Sequence, residues 1–242
     1  EKYQIDNIFI GFSDYRCLDL KKLLADNSEV NIVVAADFLN GITKRKVYSE
    51  IYEIPVFIIK DIPLNKAGNT FIKRAFDIAV SLFALILFSP LYLIIACLVS
   101  LTSRGPVFYK QERIGKNNKK FMMYKFRSMY TDAEKVTGPV YAQSDDPRTT
   151  KIGRFLRKTS LDELPQFFNV LRGDMSIVGP RPEREHFVGQ LQDAIPKYGD
   201  RHAVKAGITG WAQVNQLRQD SPLEERVRYD LYYIENWSLF FD

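Results

Sequence analysis

No charged residue occurs between Ile78 and Thr102. That run limits what the chain can fold into, because roughly 20 apolar helical residues cross a hydrocarbon core about 30 Å thick. Pro90 sits in its middle. It cannot donate to the carbonyl of Ile86 and it crowds the preceding turn, so a helix here kinks or breaks. The Ser89 hydroxyl can satisfy a freed carbonyl, which makes the break tolerable away from water. Both flanks are basic, with Lys73 and Arg74 before the run and Arg104, Lys110 and Arg113 after it. Such flanks belong on the cytoplasmic side of a membrane. Each arm beside Pro90 has about 11 to 13 residues, roughly 16–20 Å of helix and half a bilayer. The expectation is a segment that enters, turns at Ser89-Pro90 and leaves by the same face. A kinked but complete span is the alternative.

The rest reads as globular. A hydrophobic fraction of 46% over 242 residues supports a packed core and excludes a disordered chain. A net charge of +5 suits an anionic partner: nucleic acid, anionic lipid or a phosphorylated substrate. Cys17 and Cys97 lie far apart with no metal-ligand spacing, in keeping with a reducing compartment. Both ends, Glu1 and Asp242, read as cut from a longer chain.

In residues 1–64, Ile8-Phe9-Ile10 and Val30–Val34 read as buried strands around a leucine-rich helix, with Pro55–Ile59 as a further strand. This is the βαβ pattern of a parallel sheet. One glycine at Gly11 falls short of a dinucleotide fingerprint. Asp61–Thr70, with Pro63 and Gly68, reads as a linker. After the apolar run, Val107–Tyr109 and Phe121–Met129 read as strands joined through Gly115–Asn118. Lys125 and Arg127 share one face of the second strand. Basic residues among aromatics raise nucleic acid as a partner, but no recognition helix or single-strand motif accompanies them, so nucleic acid is set aside. Lys151–Lys158 reads as an amphipathic helix, with Ile152, Phe155 and Leu156 along one side.

Asp162 and Glu163 open the next helix. Ser160-x-x-Glu163 has the form of a capping box, and acidic residues suit a first turn in any case. Pro165 fits poorly with Ser160 as the cap, which leaves the helix start open. Leu161, Leu164, Phe168 and Leu171 make an apolar face; Asp162, Gln166 and Asn169 align on a polar one, expected to point outward. A carboxylate beside a phosphate needs its repulsion offset. Glu163 with Mg²⁺, together with Arg157 and Arg181, is a set able to do that, leaving Asp162 to attack phosphorus. Gly179-Pro180-Arg181-Pro182 is a rigid turn that fixes one guanidinium. His202, without a second ligand, reads as structural. Tyr229, Tyr232, Tyr233 and Trp237 read as core or as an interfacial belt.

Several stretches together resemble a known family. They are Lys73-Arg74-x-x-Asp77, the apolar run with Ser89-Pro90, Lys125–Met129, Thr159–Gln166, Phe168–Ser176, Val178–Pro182 and Gly207–Asn215. All recur in the bacterial sugar transferases, the monotopic polyprenyl-phosphate hexose-1-phosphate transferases, and the resemblance covers about residues 70–242. It implies an α+β fold, with a re-entrant membrane helix broken at Ser89-Pro90 and a helix-rich cytoplasmic catalytic domain, preceded by a partial parallel α/β domain. The boundaries expected are 1–64, 65–104 and 105–242, the last lacking its C-terminal helix. The implied reaction passes sugar-1-phosphate from a UDP-sugar to undecaprenyl phosphate at the inner membrane, with Mg²⁺ as cofactor. The resemblance makes Asp162 the nucleophile and Glu163 the Mg²⁺ ligand beside it. It puts Arg157, Lys125, Arg127 and the Pro180-Arg181-Pro182 turn at the substrate. Membrane lipid is an expected partner, and homo-oligomerisation stays open. An idle membrane-anchored scaffold or a regulatory nucleotide-binding protein is the competing class. Two positions depart from the family pattern: Ala206, usually proline, and Gln216, often glycine. Nothing in the residues reports which sugar is transferred.

Overall fold

A computed structural model describes residues 62–133, 146–217 and 221–242 in full, and N-terminal to these the backbone of four strands. The chain divides into two compact units, 1–44 and 45–242. In the first, β1 (Asn7–Gly11) pairs in parallel with β2 (Asn31–Ala35), as the alternating pattern predicts. The expected third parallel strand does not join them. β3 (Arg45–Ile51) and β4 (Ile54–Lys60) form an antiparallel pair in the second unit. A short connection between two β-rich runs favours a hairpin, since a parallel crossover needs a dozen residues or more. The leucine-rich helix expected between β1 and β2 lies outside the described residues.

Within the expected linker, residues 65–68 and Thr70 are exposed, while its start is anchored in the core. Ile62 and Leu64 are buried against Val204, Tyr233, Ile234 and Trp237, with a 3-10 turn at Pro63–Asn65 between them. Helix α1 (Ala67–Leu87) follows at once, and α2 (Ser89–Thr102) leaves it at a bend of 63°. The break falls at Phe88, so that Ser89 and Pro90 open α2, where a missing N–H costs nothing. The Ser89 hydroxyl donates to Ile86 O at 2.8 Å, the freed carbonyl. Among the described residues no single helix is long and apolar enough to cross a membrane; the bent pair together has the length and composition.

Exposure on this pair is inverted relative to a water-facing helix. The buried residues of α1 are Lys73, Asp77, Ser81 and Ala84, which recur at helical spacing on one face. Phe83 and Ile86 are each 67% exposed, Leu93 is 71% and Leu101 is 85%. From α2, Ile95 and Val99 pack with Phe126 and Leu156.

β5 (Phe108–Ile114) and β6 (Lys120–Phe126) form an antiparallel hairpin. α3 (Lys151–Lys158) has the predicted bounds and is capped by Thr150, whose hydroxyl accepts the Gly153 N–H at 2.9 Å. Of the three residues expected along its apolar side, Leu156 is buried and Phe155 is 55% exposed. After α4 (Gln166–Arg172) come β7 (Ser176–Val178), α5 (Glu185–Ala194), β8 (Gly207–Thr209), the single turn α6 (Trp211–Val214) and α7 (Leu223–Asn236). β7 and β8 pair in parallel. Met123, Val170 and Met175 form a small core between β6 and α4.

Candidate active site

α3 ends at Lys158, and Ser160 then takes a left-handed conformation with φ of 58° that turns the chain. Leu161–Glu163 form one 3-10 turn before Pro165 begins α4, where its fixed φ fits the helix start. The capping box does not form. Ser160 makes no side-chain cap bond, because the left-handed backbone takes it out of the extended geometry of a cap. The Glu163 carboxylate goes elsewhere: Oε1 lies 2.7 Å from Lys125 Nζ and 2.8 Å from Arg181 Nη2.

Three elements distant in sequence bring these groups together. β6 carries Lys125, and α4 is pinned to it by the fully buried Asn169. Asn169 Oδ1 accepts the Tyr124 N–H at 2.9 Å, and its Nδ2 donates to Met122 O at 2.7 Å. The polar face expected to point outward is therefore the buried one. Asp162, Gln166 and Asn169 are all buried, while Phe168 is 48% exposed. Leu161 and Leu164 pack toward α2.

Arg181 arrives from the turn after β7. Gly179 N–H donates to Thr209 O at 2.9 Å and Gly207 N–H to Pro180 O at 3.0 Å. A Cβ on Gly179, Gly207 or Gly210 would overlap the facing backbone, so this approach requires glycine at all three. Arg201 donates to Arg181 O at 3.1 Å and pairs with the buried Asp230 at 2.8 Å, which holds the turn from the other side. Pro180 and Pro182 are buried in the turn.

The electrostatics separate the two carboxyls. Burial alone would raise the Glu163 carboxyl, but Lys125 and Arg181 more than reverse it and hold it at about 2. Asp162 is pushed up, first by burial and then by the Glu163 charge, with Lys125, Arg157 and Arg181 opposing. Burial also lowers Lys125, and Glu163 offsets part of that. The result is one firmly ionised carboxylate beside one poorly solvated carboxyl, inside a cationic ring.

The sequence profile of the bacterial sugar transferases matches residues 68–242. The chain belongs to that family. It is 42% identical, over 99% of its length, to 52% of a UDP-glucose:undecaprenyl-phosphate glucose-1-phosphate transferase of Escherichia coli (strain K12). Over 71% of its length it is 49% identical to 41% of a UDP-N-acetylgalactosamine-undecaprenyl-phosphate N-acetylgalactosaminephosphotransferase of Aeromonas hydrophila. Also over 71% of its length, it is 47% identical to 89% of an exopolysaccharide production protein of Rhizobium leguminosarum bv. phaseoli. The chain spans about half the length of the first two relatives.

Of the sugar transferase residues expected at the substrate, Asp162, Glu163, Lys125 and Arg181 converge, and Arg157 acts electrostatically on Asp162. Arg157 Nη1 is buried without a hydrogen-bond partner among the described residues. Arg127 is placed differently. Its Nη2 donates to Ser103 O at 2.6 Å and Ser103 Oγ at 2.8 Å, so it caps the C-terminal end of α2. Sequence reasoning passed over Arg201 and Asp230, and read Asn169 only as part of an outward polar face. Nothing in their spacing separates a buried polar tie from a solvated residue.

The chain's own residues offer two oxygen donors for a divalent ion, Asp162 and Glu163. No cluster of three metal-ligating residues occurs among the described residues. Two carboxylates are within the number that commonly hold Mg²⁺ when substrate phosphates complete its shell, and here Glu163 Oε1 is already paired with Lys125 and Arg181.

Proposed function

We propose that this chain carries the transfer site of a polyprenyl-phosphate sugar-1-phosphate transferase, using a UDP-sugar as donor and undecaprenyl phosphate as acceptor. The Escherichia coli and Aeromonas hydrophila relatives are named for such substrates, and the convergence of Lys125 and Arg181 on Glu163 beside buried Asp162 carries the reading. An Asp162 carboxylate oxygen attacks the sugar-bearing phosphorus, the bond to the nucleoside phosphate breaks, and UMP leaves. The phosphate oxygen of the lipid then attacks the same phosphorus and frees Asp162. Burial strips water from the Asp162 carboxyl and strengthens every charge around it. Arg181, on its rigid turn, and Lys125 offset the diphosphate charge. Glu163, with Asp162, would hold Mg²⁺, which when bound neutralises phosphate charge.

The acceptor is a membrane lipid, and the inverted α1–α2 pair supports a seat at the cytoplasmic face of the bacterial inner membrane. A polar inward stripe with an apolar outward face is what lipid requires of a helix. The scaffold reading loses its motivating contact, since the capping box on which it rests does not form.

Incubation with UDP-sugar and Mg²⁺ should leave a phosphosugar adduct on the wild-type chain and none on Asp162→Asn. Full transfer by the asparagine variant would overturn the nucleophile assignment. A panel of UDP-sugars scored by UMP release identifies the sugar.

A further inference from the structure

Lysine and aspartate are costly on the buried face of a helix and persist there only with partners that satisfy them. On and beside that face of α1, Asp77 and its neighbour Arg74 reach the two halves of the site. The Arg74 guanidinium donates to the last carbonyls of α4, Val170 O at 2.5 Å and Leu171 O at 2.7 Å. Asp77 Oδ1 accepts the Ser176 hydroxyl and the Ile177 N–H, both at 3.0 Å, on β7. α4 follows directly from the turn that holds Asp162 and Glu163. β7 runs directly into the turn that holds Arg181. Residues three apart on a helix lie about 5–6 Å apart on one side of it, so Arg74 and Asp77 form a rigid two-point mount. Lys73 keeps it from rotating, with Nζ 3.3 Å from Asp77 and 2.6 Å from Asp242. Asp242 in turn accepts the Trp237 indole N–H at 3.1 Å.

We propose that Arg74 and Asp77 are positioning residues that set the separation between the Asp162–Glu163 pair and Arg181, so that the site is assembled on the membrane-facing helix. The inference rests on the proposed function only for what Arg181 binds. Asp77 acts through the β7 backbone and Arg74 through the end of α4, and neither touches a reacting group.

The test uses the full chain in lipid nanodiscs, with UDP as the binding probe and amide hydrogen exchange as a ligand-free readout. Asp77→Ala should release the amides of Ile177–Arg181 to exchange while the β5–β6 amides stay protected. It should also weaken UDP binding more than tenfold. Asp77→Asn keeps an acceptor oxygen and should stay within about threefold of wild type. In an Arg181→Ala background, Asp77→Ala should cost nothing further. Unchanged exchange over Ile177–Arg181, or the same loss of affinity with and without Arg181, overturns the proposal. If the wild-type chain binds no UDP, the proposed function fails, and the exchange measurement still decides whether Asp77 mounts the turn.

Discussion

Burial, with Arg201 beside it, pushes the His202 imidazole down to about 4 from the ordinary 6.5. Its Nδ1 lies 2.5 Å from Asn118 Oδ1, so the ring ties the Lys116–Asn118 turn to the segment before β8. A histidine kept neutral in the fold takes up no proton near pH 6, whereas the unfolded chain does. The unfolded state therefore gains stability as pH falls through 6.5, and the native state loses it progressively until the folded value is reached. Between pH 7 and pH 5 the His202 contribution should fall by about 2 kcal/mol. Denaturant unfolding of wild type and His202→Gln at both pH values checks this, and the variant should lose correspondingly less on acidification. The sequence identifies His202 as structural because no second ligand stands near it, but it says nothing of burial. Gln216 is the opposite case. The resemblance marks it as a place where glycine is usual, and its φ of 64° supplies the reason, since left-handed backbone costs a side chain about 1–2 kcal/mol.

At the scale of elements, the Gly207–Asn215 stretch is legible as a motif, yet its purpose emerges only from the β7–β8 pairing. Gly207 backs onto Gly179, and a methyl group at Gly207 would overlap Gly179 N and Thr209 O. Both are backbone atoms that cannot rotate away, so the turn must move and carry Arg181 with it. Gly207→Ala should therefore destabilise by about 1–3 kcal/mol and lower UDP affinity in the same variant. Gly189, inside α5 with open space around it, provides the control. Gly189→Ala should stabilise by about 0.5–1 kcal/mol and leave UDP affinity unchanged. Thermal unfolding with UDP titration of the two variants separates a packing requirement from ordinary helix propensity. Periodicity located α3 correctly, started the next helix too early at Asp162 where a 3-10 turn precedes α4, and misread which polar residues turn inward. A hydrophobic stripe marks the side away from water: Leu161 and Leu164, in the turn before α4, pack on the cluster of Ile95, Val99, Phe126 and Leu156, and Phe168 of α4 meets Tyr92 of α2. The buried side is then free to carry polar ties such as Asn169.

For the whole molecule, length alone does not decide how the α1–α2 pair meets a bilayer. The uncharged part of α1 is about 15 Å long and α2 about 21 Å. With the bend of 63° the two ends lie about 31 Å apart, long enough to cross a core of about 30 Å. The attachments argue for re-entry. Arg74 fastens the start of the pair to α4 and Arg127 fastens its end to β6, while Asn169 joins α4 to β6. Both ends are thus fastened to one body, which is what a segment that enters and leaves by the same face requires. In that arrangement the apex at Phe88 dips only about 9 Å below the line joining the ends, within a single leaflet. Cysteines placed at Lys66 and Arg104, in a chain without Cys17 and Cys97, should both resist an impermeant maleimide applied outside intact cells. Both should react once the inner membrane is opened, and a cysteine at Leu87 should stay protected in either case. Labelling of Arg104→Cys from outside would establish the complete span and overturn re-entry.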